Sequence, residues 1–153
     1  MPARRRRHGE EGISVTLNVS YGERYGWTVV QVTGEVDLEG VAALRERLQR
    51  LIAEGCHQMV VDISRLGFCD SMGFAVLVAT RRLIAARGGR LRLVLPGPEA
   101  HIRQVLSLFG IEKIFEVHGS IEEALADHRE IPDEAGAGAA VPQQRDATSA
   151  TAD

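Results

Sequence analysis

The sequence predicts an α/β fold: a central mixed, mostly parallel β-sheet with an N-terminal antiparallel hairpin and about four α-helices. Three observations carry that expectation. Short apolar runs with strand character alternate with longer stretches of helical periodicity. Helical patterns stop at Gly55, Gly88-Gly89 and Gly110, where a left-handed C-cap residue is wanted. The first two strand-like segments are too close for a crossover and must pair antiparallel, whereas each later strand follows a helix and pairs in parallel.

Val15, Leu17 and Val19 alternate with polar residues and form the first strand. A turn is expected around Tyr21-Gly22-Glu23, then a second strand over Trp27–Val32. The first helix runs from about Gly40 to Glu54, with Leu44, Leu48, Leu51 and Ile52 on one side. His57–Ile63 (HQMVVDI) is the third strand, and a short loop leads to a second helix over 71–87. Arg90–Leu95 is the fourth strand, closed by Pro96-Gly97-Pro98, and a third helix covers about Glu99–Leu108. A short strand is expected at Ile114–Val117. Ser120-Ile121-Glu122-Glu123 has capping-box spacing and opens a last helix to about His128.

The composition, with 44% hydrophobic and 25% charged residues, fits one globular domain with tails. Residues 1–12 hold Arg4–Arg7 against Glu10 and Glu11, a net charge of +2. Residues 130–153 carry five acids against Arg145, a net of −4, and contain no aromatic, Leu or Met. Neither end buries enough apolar surface to offset its ordering entropy, so a basic N-terminal tail (1–12) and an acidic Ala/Gly/Pro-rich C-terminal tail (130–153) are expected to be disordered. They flank a folded domain over 13–129 with about −1 of the chain's net −3. That balance gives no electrostatic footprint for direct nucleic-acid binding.

No apolar run approaches a membrane span and no secretory segment is present, so a cytoplasmic location is expected. Cys56 and Cys69 stand thirteen apart among scattered histidines, without zinc spacing, and read as reduced, packed thiols.

The most informative stretch is Asp62 to Phe74, DISRLGFCDSMGF, which delivers Ser71 to the first turn of helix two. An oxygen side chain there caps free N–H groups, and the helix dipole favours negative charge. Ser71 is thus either a plain N-cap or a place for a phosphate; position alone favours the cap. A hydrolase elbow, G-x-S-x-G, would need glycine where Cys69 stands, and no P-loop or dinucleotide pattern surrounds Gly67 and Gly73. No catalytic residue is expected, and the chain reads as no enzyme. Met72, Ala75, Val76, Ala79 and Leu83 form one apolar stripe read as the core face of helix two. Phe74, Leu77 and Val78 lie off it, leaving Met72 and Phe74 as either core or docking residues.

Gly34-Glu35-Val36-Asp37-Leu38 before helix one, then VVDISRL, then Asp70-Ser71-Met72-Gly73-Phe74 form an order that resembles the STAS domain (sulfate transporter and anti-sigma antagonist), and most of all the free-standing anti-sigma factor antagonists of bacteria. The resemblance covers about 13–129 and implies a STAS-type fold. It implies a protein without catalysis or cofactor of its own, which binds an anti-sigma factor with serine kinase activity and frees a sigma factor. Phosphorylation at Ser71 would release that partner, and a serine phosphatase would reset it. Asp37, Asp70, Met72, Gly73 and Phe74 are the partner-binding or switch residues the resemblance implies; Asp37 and Asp70 also read as plain helix caps. Many members carry Ser or Thr where Met72 stands, so Ser71 is the only acceptor in this motif. The alternative is a non-catalytic STAS scaffold subunit of a transport complex (of the lipid ABC transporter kind) or a signalling complex, with no phospho-switch.

Overall fold

In a computed structural model that describes residues 17–129, one five-stranded sheet has the order β1-β2-β3-β4-β5. Val15, the basic segment 1–12 and the acidic segment 130–153 lie outside the described residues. The strands are β1 (Leu17–Arg24), β2 (Trp27–Val36), β3 (Gln58–Cys69), β4 (Arg90–Val94) and β5 (Glu116–His118). The helical segments are α1 (Leu38–Ala53), α2 (Ser71–Ala86), α3 (His101–Leu108), α4 (Ile111–Ile114), α5 (Ile121–Ala124) and α6 (Ala126–Arg129). The β1–β2 pair is antiparallel and all other pairs are parallel.

Parallel strands laid down in sequential order, with crossovers of one hand, put their connecting helices on one face of the sheet. The packing follows that rule. Val30, Val32, Met59, Val61, Ile63, Leu91 and Leu93 face α1, α2 and α3 and build the main core with Leu44, Leu48, Leu77, Ile84 and Leu106. The alternate strand residues Trp27, Val29, Val60 and Val94 form a smaller cluster on the other face, covered by Ile121, Ala124 and Leu125 at α5.

A buried cation ties the C-terminal segments to that second face. Arg92 projects from β4 with 3% exposure, and its guanidinium lies 4.3 Å from the Trp27 ring centroid. It donates to the Ala124 carbonyl and to both carboxylate oxygens of Asp127 at 3.2 and 3.0 Å. Its Nε lies 2.9 Å from Glu116 Oε2 as an ion pair, without hydrogen-bond alignment.

Several boundaries differ from the sequence reading, each for a physical reason. The hairpin turn is Tyr25-Gly26, not Tyr21-Gly22-Glu23: both residues have positive φ (55° and 82°), the two-residue geometry that matches strand twist. Gly22 is a strand residue paired with Val29. β3 does not end at Ile63 but runs to Cys69, and β2 continues to Val36. Two register shifts insert unpaired residues into β3, between the pairs Gln31–Asp62 and Thr33–Arg65 and between Gly34–Leu66 and Glu35–Phe68. These bulges break the period-two pattern, so a strand reads as a loop.

The expected strand at Ile114–Val117 is the end of α4 followed by β5, and the last helix is split at Leu125. Helix one starts two residues earlier than expected and helix three about two later. Six helical segments therefore stand where about four were expected.

Burial alone would raise the Glu116 carboxyl, but the Arg92 charge, with Arg90 and His118 beside it, outweighs burial and holds it below the ordinary carboxylate value. A lowered folded pKa stabilises at pH above the unfolded value and is lost as pH falls through the folded one. Glu116→Gln should therefore cost under about 1 kcal/mol at pH 7, because solvent screens this half-exposed group. In urea melts the gap from wild type should close below about pH 4; a gap unchanged there would contradict the assignment.

Candidate functional site

At the C-terminal edge of the sheet, β2 and β3 end side by side, with Val36 paired to Cys69. The next residue in each strand is an aspartate that caps a helix. Asp37 Oδ1 accepts the Gly40 N–H at 2.8 Å and opens α1. Asp70 Oδ1 accepts the Met72 and Gly73 N–H groups at 3.0 and 3.4 Å and opens α2. Two helix N-termini, each with a partial positive charge and a capping carboxylate, thus lie next to each other.

Each cap is followed at its third position by a glycine with little room around it. A Cβ on Gly73 would stand 2.6 Å from Cys69 Sγ and 3.0 Å from Val36 Cγ1; one on Gly40 would stand 2.8 Å from the Glu35 carbonyl oxygen. The helix starts are therefore seated directly on the strand ends they follow. Gly34, with φ 99°, stands at the second β3 bulge, where side chains are disfavoured. The spacing D-x-x-G, occurring at 37–40 and again at 70–73, was the signal for this paired arrangement in the sequence.

Asp70, not Ser71, is the cap of α2. Ser71 occupies the first helical position, is exposed, and makes no side-chain hydrogen bond among the described residues. The plain N-cap role expected for Ser71 is overturned, because the Asp70 carboxylate already takes the N–H groups a serine cap would use. Asp37 and Asp70 come together at the same edge as Ser71, both half-buried.

The buried face of α2 also differs from expectation. Gly73, Val76, Leu77, Thr80 and Ile84 are buried, while Met72, Ala75, Ala79 and Leu83 face solvent. Seating Gly73 against Cys69 and Val36 fixes the rotation of the helix. Thr80 can join the buried face because its hydroxyl donates to the Val76 carbonyl at 2.8 Å. Met72 is 47% exposed beside Ser71, and the same edge exposes Leu38 (76%) and Phe68 (44%), two apolar residues the sequence reading did not single out.

Phe74 is half-buried against the main core, with its ring 5.4 Å from Phe109 and 6.1 Å from Phe115. It joins α2 to the end of α3, where Leu108 is open to solvent. Cys69, directly under Gly73, is a free buried thiol that burial, with the Asp70 charge adding, pushes up to about 11; it is no nucleophile at neutral pH. Among the described residues no group of three or more His, Cys, Asp or Glu could hold a metal ion, and no helix is long and apolar enough to cross a membrane. An open cleft lined by Tyr21, Glu23, Glu54 and His57 lies at the strand-start end, away from Ser71.

The edge thus combines an exposed serine at one of two neighbouring capped helix starts with exposed apolar side chains, on an α/β sheet of mixed topology. The chain belongs to the STAS domain family: the family model described as "Mlab, STAS domain" matches residues 21–119. Its curated relatives are anti-sigma factor antagonists. The Anti-sigma-F factor antagonist RsfB of Mycobacterium tuberculosis is 27% identical over 114 residues, covering 74% of this chain and 91% of that protein. The Anti-sigma-B factor antagonist of Bacillus subtilis is 23% identical over 108 residues, covering 71% and 96%. Among solved structures, an anti-sigma factor antagonist from Mycobacterium paratuberculosis is 27% identical with a TM-score of 0.66, covering 75% of this chain and 96% of that one. Unphosphorylated SpoIIAA shares the fold, with a TM-score of 0.57 at 23% identity over 74% of this chain and 99% of that one.

Two stability results follow from the geometry. Asp70→Ala should cost about 1 kcal/mol through the lost cap, whereas Ser71→Ala should cost clearly less; urea melts of the two variants check the order. Phe74→Ala should cost less than the about 3–5 kcal/mol of a fully buried aromatic, yet more than a surface change, because the ring contacts Phe109 and Phe115. A cost within a few tenths of zero in the same assay would remove Phe74 from the packing described here.

Proposed function

We propose that this chain is an anti-sigma factor antagonist, a non-catalytic cytoplasmic protein that binds an anti-sigma factor with serine kinase activity and so frees a sigma factor. Phosphorylation at Ser71 ends that binding, and a serine phosphatase restores it. ATP belongs to the kinase. The observation that carries this reading is Ser71: an exposed hydroxyl free of side-chain hydrogen bonds, beside Asp37 and Asp70 and rimmed by exposed Leu38, Phe68 and Met72. The relatives named above support the general role.

Phosphate would add about −1.5 to −2 charges at this edge. The Met72 and Gly73 N–H groups already bond Asp70, so the phosphate finds no ready backbone cradle and faces two carboxylates instead. An interface closing over the edge must then desolvate or repel that charge, at a cost of a few kcal/mol, enough to change occupancy. Met72, Gly73 and Phe74 shape the first turn that the partner covers: Met72 offers exposed apolar area, Gly73 sets the helix on its strand, and Phe74 braces it from behind.

Intact-mass measurement after incubation with ATP and the candidate kinases of its own organism tests the assignment. One phosphate should appear on wild type and none on Ser71→Ala, which should still bind the partner. Ser71→Asp should weaken binding in titration calorimetry, in part only, since a carboxylate carries less charge than a phosphate. Phosphate on the alanine variant at the wild-type level would refute the site, and equal affinities in all three proteins would favour the scaffold subunit without a switch.

A further inference from the structure

From Ser71 to Pro98 the chain contains five arginines and no acidic residue. Two of them are neutralised: Arg90 pairs with Glu116 at 2.9 Å, and Arg92 with Glu116 and Asp127. Arg81, Arg82 and Arg87 are exposed and make no ion pair among the described residues. Arg87 is the C-cap of α2, but neither Arg81 nor Arg82 is in its last turn, so favourable pairing with the helix dipole does not account for these two.

The placement of Arg82 is informative. Eleven residues separate it from Ser71, which at about 100° per residue brings it back to within about 20° of the same azimuth, some 16 Å further along the helix. Leu83 stands in the same relation to exposed Met72. The solvent face of α2 therefore runs from Ser71 and Met72 through Ala75 and Ala79 to Arg82 and Leu83, with every one of these residues exposed. It is a small-residue apolar track with carboxylates at one end (Asp37, Asp70) and unpaired guanidinium groups at the other.

We propose that this arginine end is a second contact for the same partner, so that the docking protein lies along the whole exposed face of α2 and sets acidic side chains against Arg81, Arg82 and Arg87. The inference rests on the antagonist reading and deepens it by stating the partner's chemistry: an apolar ridge flanked by carboxylates. The two ends have separate tasks. Arg81 and Arg82, about 16 Å from Ser71 along the helix, and Arg87, about 24 Å away, lie beyond the roughly 10 Å Debye length at 0.1 M salt, so phosphate barely weakens their pull on an acidic partner. They govern the rate of encounter, while Ser71 governs whether the encounter is held.

Stopped-flow association of the full chain with the anti-sigma factor kinase identified by the Ser71 phosphorylation assay tests this, at 50 and 500 mM salt. The exposed pair change Arg81→Glu/Arg82→Glu should lower the on-rate about tenfold or more at 50 mM, and the loss should shrink severalfold at 500 mM. Ser71→Asp should act mainly on the off-rate, and the triple variant should show both effects combined. An on-rate unchanged at 50 mM, or a loss that persists undiminished at 500 mM, overturns the inference. A rise in on-rate, the sign expected if the acids of residues 130–153 occupy the arginines instead, overturns it too. An arginine effect that fails while Ser71→Asp still weakens binding leaves the phospho-switch standing; the reverse pattern sinks the switch and keeps the basic contact.

Discussion

The pairing of Val36 with Cys69 is the constraint on which the functional edge depends. Neighbouring strands lie about 4.8 Å apart, so two parallel strands that end in register must start their next elements side by side. Here both start a helix, and both begin it with an aspartate cap followed three residues later by a tightly seated glycine. The aspartates consume the helix N–H groups, and the glycines press the helices onto the strand ends. Ser71 is left outside this arrangement, held in place by its neighbours and spared from bonding any of them. A hydroxyl serving as a cap would have to abandon its bond on modification. One that bonds nothing can gain a phosphate while the backbone beneath it stays as it was.

The order and type of the elements were legible in the sequence because stop glycines, caps and apolar periodicity agree along most of the chain. The place of the Asp70–Phe74 motif at the start of the second helix was legible too. What escaped was set by tertiary contacts. The β3 bulges erase alternation over Ser64–Cys69, so four paired residues looked like a connection. The rotation of α2 is decided by Gly73, which carries no hydrophobicity and weighs nothing in a periodicity argument. Thr80 is buried in spite of its hydroxyl because its own helix satisfies it. Leu83 was counted as core although it faces solvent, and Met72, left open between core and docking, faces solvent too.

The sheet divides labour between its faces and its edges. The main core supplies packing beneath the helices, and the Arg92–Trp27 cluster supplies it on the opposite face of the sheet. The C-terminal edge can then keep Leu38, Phe68 and Met72 in water, an arrangement that offers no folding energy and is useful only when something covers it. The two roles also differ in tolerance. Changes beneath the helices act on the whole fold, while changes along the exposed face of α2 leave the core packing untouched.

Trp27 is the only tryptophan in the chain, and it lies under Arg92 on the face opposite α2, near the start of its strand. Its emission is therefore an internal reporter for the C-terminal segments that cover it. Detachment of α5 and α6 would bring water to the indole and shift its spectrum to the red, whereas a protein settling on α2 from the other side would leave the indole's surroundings as they were. Native fluorescence in this molecule reads the closure of one face and is blind to the traffic on the other.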